Sequence, residues 1–196
     1  MINTVKDKSK NQILEAALHV FVKKGYAETR MDDIVESSGL SKGAIYHHYS
    51  SKKDLFLSLI DYWEVNSFPN FLDNDYSKLS ASDKLRNVIT EIVNTYKNKK
   101  FVFLAELEFW SLANHDKDVR KKTKSLYNKL LSFFKNIVHD GIKSKEFKDI
   151  NVEVAALSIM TSIQGVIWFS IFEETSVSAE EYLNDVIEFI IHGFKK

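Results

Sequence analysis

The stretch Ser41-Lys42-Gly43-Ala44-Ile45-Tyr46-His47-His48-Tyr49-Ser50 carries the densest set of groups able to meet another molecule. At about 100° per residue, Ile45, His48 and Tyr49 fall on one side of a helix, and Gly43, Tyr46, His47 and Ser50 on the other. The first set suits packing. The second offers a phenol, an imidazole, a hydroxyl and a position without a side chain, with Lys42 at its edge. Glycine there lets backbone approach a phosphate or a base edge closely. This is the chemistry of binding, not of bond making.

Elsewhere the residue types exclude more than they offer. The chain has no cysteine, which removes disulfides, thiolate metal sites and cysteine nucleophiles. Its six histidines fall into no metal-ligand spacing, and His115 with Asp116 and Asp118 reads as an exposed loop. No glycine-rich phosphate loop, Gly-x-Ser-x-Gly elbow or paired-carboxylate site is present. No cofactor, metal or catalytic residue is expected, and the chain does not read as an enzyme.

The elements around the first stretch are short and strongly punctuated. Thr29 can cap one helix, with Asp32 in the capping-box position. Ile34 and Val35 supply its apolar face, and Gly39 ends it. Ser41 caps a second helix over 42–49, and Ser51 a third, with Asp54 three residues on. Helix, three-residue turn and helix is the arrangement that seats a second helix in the DNA major groove.

Beyond it, apolar residues recur at spacings of three and four, and strand-like alternation is absent. The pattern predicts an all-α protein of about nine helices. A first helix over 8–24 stops at Gly25, and a fourth starts at Lys52 and ends before Pro69. Residues 66–80 read as a loop, and further helices span about 82–97, 101–114, 119–142, 152–172 and 179–194. The basic start of the 119–142 helix (Arg120, Lys121, Lys122, Lys124) reads as a solvated face. Residues 154–172 hold no charge, yet Ser158, Thr161, Ser162, Gln164, Gly165 and Ser170 interrupt them. They read as a buried helix, not a membrane span. The polar N-terminus is no signal peptide, and the expected location is cytoplasmic.

Several spaced positions also resemble one known family. Phe21-Val22-Lys23-Lys24-Gly25-Tyr26, Thr29, Ile34-Val35, Gly39-Leu40-Ser41, the Lys42–Tyr49 run and Lys52-Lys53-Asp54-Leu55-Phe56 are similar to the signature of TetR-type bacterial regulators. The departures are Val35 and Ser38 where alanine is usual and Tyr49 where phenylalanine is usual. The resemblance implies a DNA-binding head at 1–56 and a body at 57–196 for effector and dimer. It implies a ligand-responsive transcriptional regulator, most simply a repressor, on a double-stranded palindromic operator.

On that reading Thr29, Arg30, Met31, Ser41, Lys42, Gly43, Ala44, Tyr46, His47 and Lys52 touch DNA. Lys42, Lys52 and Tyr46 suit phosphates; Gly43, Ala44 and His47 sit where base edges are read. The apolar helices at 152–172 and 179–194, with Ile187 and Ile190 among their residues, suit a homodimer interface, which also doubles the DNA contacts. A small, largely apolar effector would meet residues of the aromatic-rich body, with Phe103, Glu106, Leu107, Trp110, Phe134, Gln164 and Trp168 as candidates.

Charge adds little. The 196 residues balance 27 Lys and Arg against 27 Asp and Glu, and residues 1–56 carry nine of the former and seven of the latter. Two rival readings stay open: a helical protein-interaction module, and a helical enzyme without a recognisable catalytic motif.

Overall fold

The computed structural model describes residues 5–67, 78–172 and 176–196. Among them are ten helical segments and no strand. They are α1 (Val5–Glu28), α2 (Met31–Ser38), α3 (Lys42–His48), α4 (Lys52–Ser67), α5 (Ala81–Lys99), α6 (Phe101–Ala113), α7 (Lys117–Lys143), α8 (Val152–Gln164), α9 (Val166–Ile171) and α10 (Ala179–Phe194). Most of the expected 66–80 loop, Pro69 included, lies outside the described residues.

The count exceeds nine because the expected 152–172 helix is interrupted at Gly165. The Tyr182 hydroxyl donates to the Ser162 carbonyl at 2.7 Å. A Cβ on Gly165 would lie 2.4 Å from that hydroxyl. A side chain inserted into the helical hydrogen-bond ladder breaks it there, and glycine leaves the room. α1 ends in effect where the sequence puts its stop, because Gly25 has left-handed φ of 75°.

Contacts divide the chain into two compact units: Met1–Ser67 with Leu104–Lys124, and Phe68–Phe103 with Ser125–Lys196. The first unit is built on α1 and α4. Ile13, Ala17 and Phe21 of α1 are buried with Leu55, Phe56 and Leu59 of α4 and with Ile34 and Ile45. Phe56 meets Phe21 edge-on at 5.1 Å and Phe109 of α6 at 5.6 Å. Such aromatic pairs add about 1 kcal/mol beyond their burial. Asp116 starts α7 by accepting from the Asp118 and Val119 N–H groups, and Arg120 donates to the Ala113 and Asn114 carbonyls at the end of α6.

The second unit centres on α10, which packs on α5 and α8. Leu183, Ile187 and Ile191 of α10 are buried with Leu85, Val88 and Ile92 of α5 and with Ala156 and Ile159 of α8. Arg86 grips Glu188 through two bonds of 2.6 and 3.0 Å. Glu146 accepts from the Ala81 and Ser82 N–H groups, at 2.8 and 3.0 Å, and so closes the start of α5. Residues 152–171 are long and apolar enough to cross a membrane by length and composition, but Ala155, Ala156, Ile159, Met160, Val166 and Ile167 are buried in this chain.

One expectation is corrected here. Ile187, assigned from sequence to the surface of a dimer, is 2% exposed in the single chain. It is a core residue of α10. The large apolar residue that α10 turns outward is Phe189, at 73%, which sits off the buried 183–187–191 stripe.

Candidate nucleic-acid interface

The short helices are fixed by side chains acting on nearby backbone. α2 begins one residue later than Thr29 predicts. Arg30 is its N-cap, and the Asp33 carboxylate accepts from the Arg30 N–H at 2.8 Å. The Lys24 ammonium, 2.7 Å away, holds the Asp33 carboxyl below its usual range, with the Arg30 N–H helping. Gly39 takes left-handed φ of 68° and its N–H donates to Val35. Across the turn, Ser38 Oγ accepts from the Leu40 N–H, and Gln12 of α1 donates to the Ser38 carbonyl at 2.7 Å. Ser41 Oγ accepts from the Ala44 N–H and caps α3. Ser51 caps α4 by accepting from the Asp54 N–H, while the Asp54 carboxylate reaches Ser50, one residue earlier than the capping box expected.

α3 has the two faces its sequence implies. Ile45 is 0% exposed and Tyr49 2%. Tyr46, at 45%, stands outward with Lys42, Gly43 and His47; Ala44 is half-buried. A Cβ on Gly43 would meet no atom within 4 Å, so nothing inside the chain requires glycine there. Arg30 and Ser41 are exposed and Met31 is half-buried. The Tyr49 hydroxyl is buried without a hydrogen-bond partner; burial, and then the Asp54 charge, push it up to about 12.

Two expected DNA contacts are placed otherwise. Thr29 is 1% exposed, with its hydroxyl committed to the Gly25 carbonyl at 2.7 Å. The Lys52 ammonium donates to the Tyr26, Ala27 and Thr29 carbonyls at 2.6, 3.2 and 2.8 Å and lies 4.5 Å from the Tyr26 ring centre. Its three N–H bonds are used, so it fastens the start of α4 to the end of α1 instead of facing a phosphate. Sequence reasoning also missed three ion pairs. Lys42 meets Asp32 at 2.7 Å; Lys53 meets Asp116 at 2.8 Å and Asp118 at 2.6 Å. Their separations follow no helical spacing, so the sequence carries no signal for them.

The candidate effector residues divide between the units. In the first, Glu106 is buried and accepts from the Trp110 indole N–H at 3.0 Å, and Leu107 is half-buried. Its neighbour Glu108, half-buried, accepts from the Tyr26 backbone N–H at 3.0 Å. In the second, Phe103 and Phe134 are buried and Gln164 half-buried. Trp168 departs from the expectation: it is 60% exposed and stacks on Phe172. Among the described residues no group of three or more His, Asp or Glu could hold a metal.

A capped helix, a glycine turn and a second helix with an outward polar face define a helix-turn-helix DNA-binding protein. Comparison with known proteins agrees. Residues 13–59 match the description "Bacterial regulatory proteins, tetR family". Residues 81–192, more than half the chain, match "BetI-type transcriptional repressor, C-terminal". A fatty acid metabolism regulator of Bacillus subtilis is 24% identical over 185 residues, covering 93% of each chain. Two solved structures share the fold. One is a transcriptional regulator from Saccharomonospora viridis in complex with choline, with TM-score 0.85, 20% identity and coverage of 96% and 98%. The other is FadR of Bacillus subtilis in complex with stearoyl-CoA, with TM-score 0.81, 22% identity and coverage of 94% and 98%. The chain belongs to the TetR family. It is a ligand-responsive DNA-binding transcriptional regulator and not an enzyme.

Proposed function

We propose that the protein is a cytoplasmic repressor that binds a palindromic operator as a homodimer and leaves it when a small, largely apolar effector binds. Residues 1–56 take the DNA, and the remainder takes the effector and the partner copy. The observation that carries the reading is the outward face of α3. Lys42, Gly43, Tyr46 and His47 are exposed there, and Gly43 serves no internal packing. Lys42 and the Tyr46 hydroxyl meet phosphates, and Gly43, Ala44 and His47 face base edges. Arg30, Met31 and Ser41 flank them. Thr29 and Lys52 act by shaping the joint that presents α3.

The homodimer reading is supported by the apolar side chains exposed on α8, α9 and α10. Val154 is 62% exposed, Trp168 60%, Phe172 58% and Phe189 73%. A second copy with the same face would cover them. The effector reading is supported by Glu106, a buried carboxylate in a mainly apolar helix, which suits the few polar anchors of an apolar ligand site. One related regulator holds choline and another stearoyl-CoA. A cationic headgroup and a long acyl thioester are therefore the first two effector classes to screen.

Selection of bound duplexes from a random library tests the whole reading. A palindromic consensus is expected, with log K falling by about 0.9 per phosphate neutralised as log salt rises. Tyr46→Phe should weaken that binding without lowering the melting temperature. A flat salt response, or no enriched sequence, would sink the DNA-binding assignment. Effector linkage is read on the same complex. A ligand that releases the operator must itself bind more weakly, by the same factor, when operator is present.

A further inference from the structure

The lysines around the recognition helix are already occupied. Lys24 pairs with Asp33, Lys42 with Asp32, and Lys53 with Asp116 and Asp118, while Lys52 is spent on three carbonyls. Two of the four paired acids have a second task in the fold. Asp33 closes the capping box of α2, and Asp116 starts α7. Asp32 stands in the first turn of α2, but it closes no cap: among the described residues its carboxylate meets only Lys42. Both members of that pair are exposed, Lys42 at 60% and Asp32 at 69%. An exposed pair of this kind contributes little to stability. Its effect falls on the outward face instead, where Lys42 opens α3. The Asp32 carboxylate holds the Lys42 ammonium in its charged form but answers its charge before DNA arrives.

We propose that Asp32 competes with the DNA backbone for Lys42 and so holds down affinity for DNA of every sequence. The proposal rests on reading Lys42 as a phosphate contact. A phosphate that takes the ammonium displaces Asp32 and leaves a carboxylate unpaired beside a polyanion. The head then neutralises one phosphate fewer than its lysines offer. Because the competition acts through the backbone, it weakens operator and random duplex alike and leaves their affinity ratio unchanged.

The test uses the full chain, the selected operator and a random duplex of equal length, titrated across a range of salt. Four proteins are compared: wild type, Asp32→Asn, Lys42→Ala and the double variant. Asp32→Asn is expected to bind both duplexes about two- to fivefold more tightly per head at low salt. Its salt slope should steepen by about 0.9 per head. Its melting temperature should fall only slightly, because Asp33 carries the cap and Asp32 adds only a charge at the exposed start of α2. The double variant should match Lys42→Ala. If Lys42→Ala binds more weakly but Asp32→Asn changes nothing, the competition is overturned and the Lys42 contact stands. If Lys42→Ala has no effect on either duplex, the underlying contact fails. Weaker binding by Asp32→Asn would overturn the proposal by making Asp32 a support that positions Lys42. A gain from Asp32→Asn that survives the loss of Lys42 would overturn it in favour of plain repulsion.

Discussion

The helix-turn-helix and the second unit both cap their helices locally. They differ in the reach of the side-chain bonds added to those caps, 26 residues around the helix-turn-helix and far more in the second unit. In the first, Ser41 with Ala44, Asp33 with Arg30 and Ser51 with Asp54 are partners three residues apart. In the second, Arg86 reaches Glu188 across 102 residues, the Tyr96 hydroxyl reaches the Phe169 carbonyl across 73, and Glu146 reaches the start of α5 across 65. Bonds of the first kind close within a single turn of chain, at little loop-closure cost. Bonds of the second kind exist only once distant helices have met. The helix-turn-helix can therefore tolerate change on its outward face, whereas small changes inside the second unit disturb several helices together.

Substitutions of one type on the buried and the exposed side of α10 probe the second unit's half of that contrast. Ile187→Asp puts an unpaired charge among the buried residues of α10, at a cost of about 4 kcal/mol. It should unfold or grossly destabilise the second unit in urea titrations. Phe189→Asp, two residues away and exposed, should leave the urea midpoint nearly unchanged and shift the sedimentation coefficient toward monomer. A stable Ile187→Asp variant would break the assignment of that face to the core.

Glycine gives the next effect. A Cβ on Gly141 would lie 2.3 Å from the Phe147 ring and 2.9 Å from Ala81, so Gly141→Ala should cost about 1–3 kcal/mol by overpacking. Gly43→Ala meets open space. It should raise helix stability by up to about 1 kcal/mol while weakening DNA binding. Equal melting temperatures for the two variants would erase the difference between the regions.

Acid should reach the second unit through Glu146. Burial alone would raise its carboxyl, but hydrogen bonds from Ser82 and Ala81 outweigh that and hold it below the usual 4.5. A folded value below the unfolded one gives stabilisation that is complete above about pH 4.5 and fades as the pH falls through the folded value. Glu146→Gln should lose about 1 kcal/mol at neutral pH. Its melting temperature should also depend less on pH between 5 and 3.5 than that of the wild type. The smallest effect is expected at Tyr49, whose buried hydroxyl has no partner. Tyr49→Phe should be neutral or stabilising by less than about 1 kcal/mol, read from the same melts.

These differences explain which parts of the molecule the sequence discloses. Ser41, Gly39 and the two faces of α3 are legible because each acts on backbone within four residues. Arg30 displaces Thr29 as N-cap by a single step, which a side-chain preference alone cannot fix. Lys52 reads as a phosphate ligand by its place in the signature, but its fate depends on three carbonyls at the end of another helix. Ile187 and Phe189 are both apolar residues of one helix. Only the packing of α5 and α8 decides which of them turns inward. The break at Gly165 is likewise invisible without Tyr182.

The Lys52 contacts also have a mechanical consequence. One ammonium at the first residue of α4 ties down the Tyr26, Ala27 and Thr29 carbonyls, and Glu108 of α6 holds the Tyr26 N–H of the same segment. The segment between α1 and α2 is thus clamped from two helices and has no slack of its own. A rotation of α4 about its long axis is therefore expected to pull on α2 and, through the Gly39 turn, on α3, and so to re-aim Tyr46 and His47.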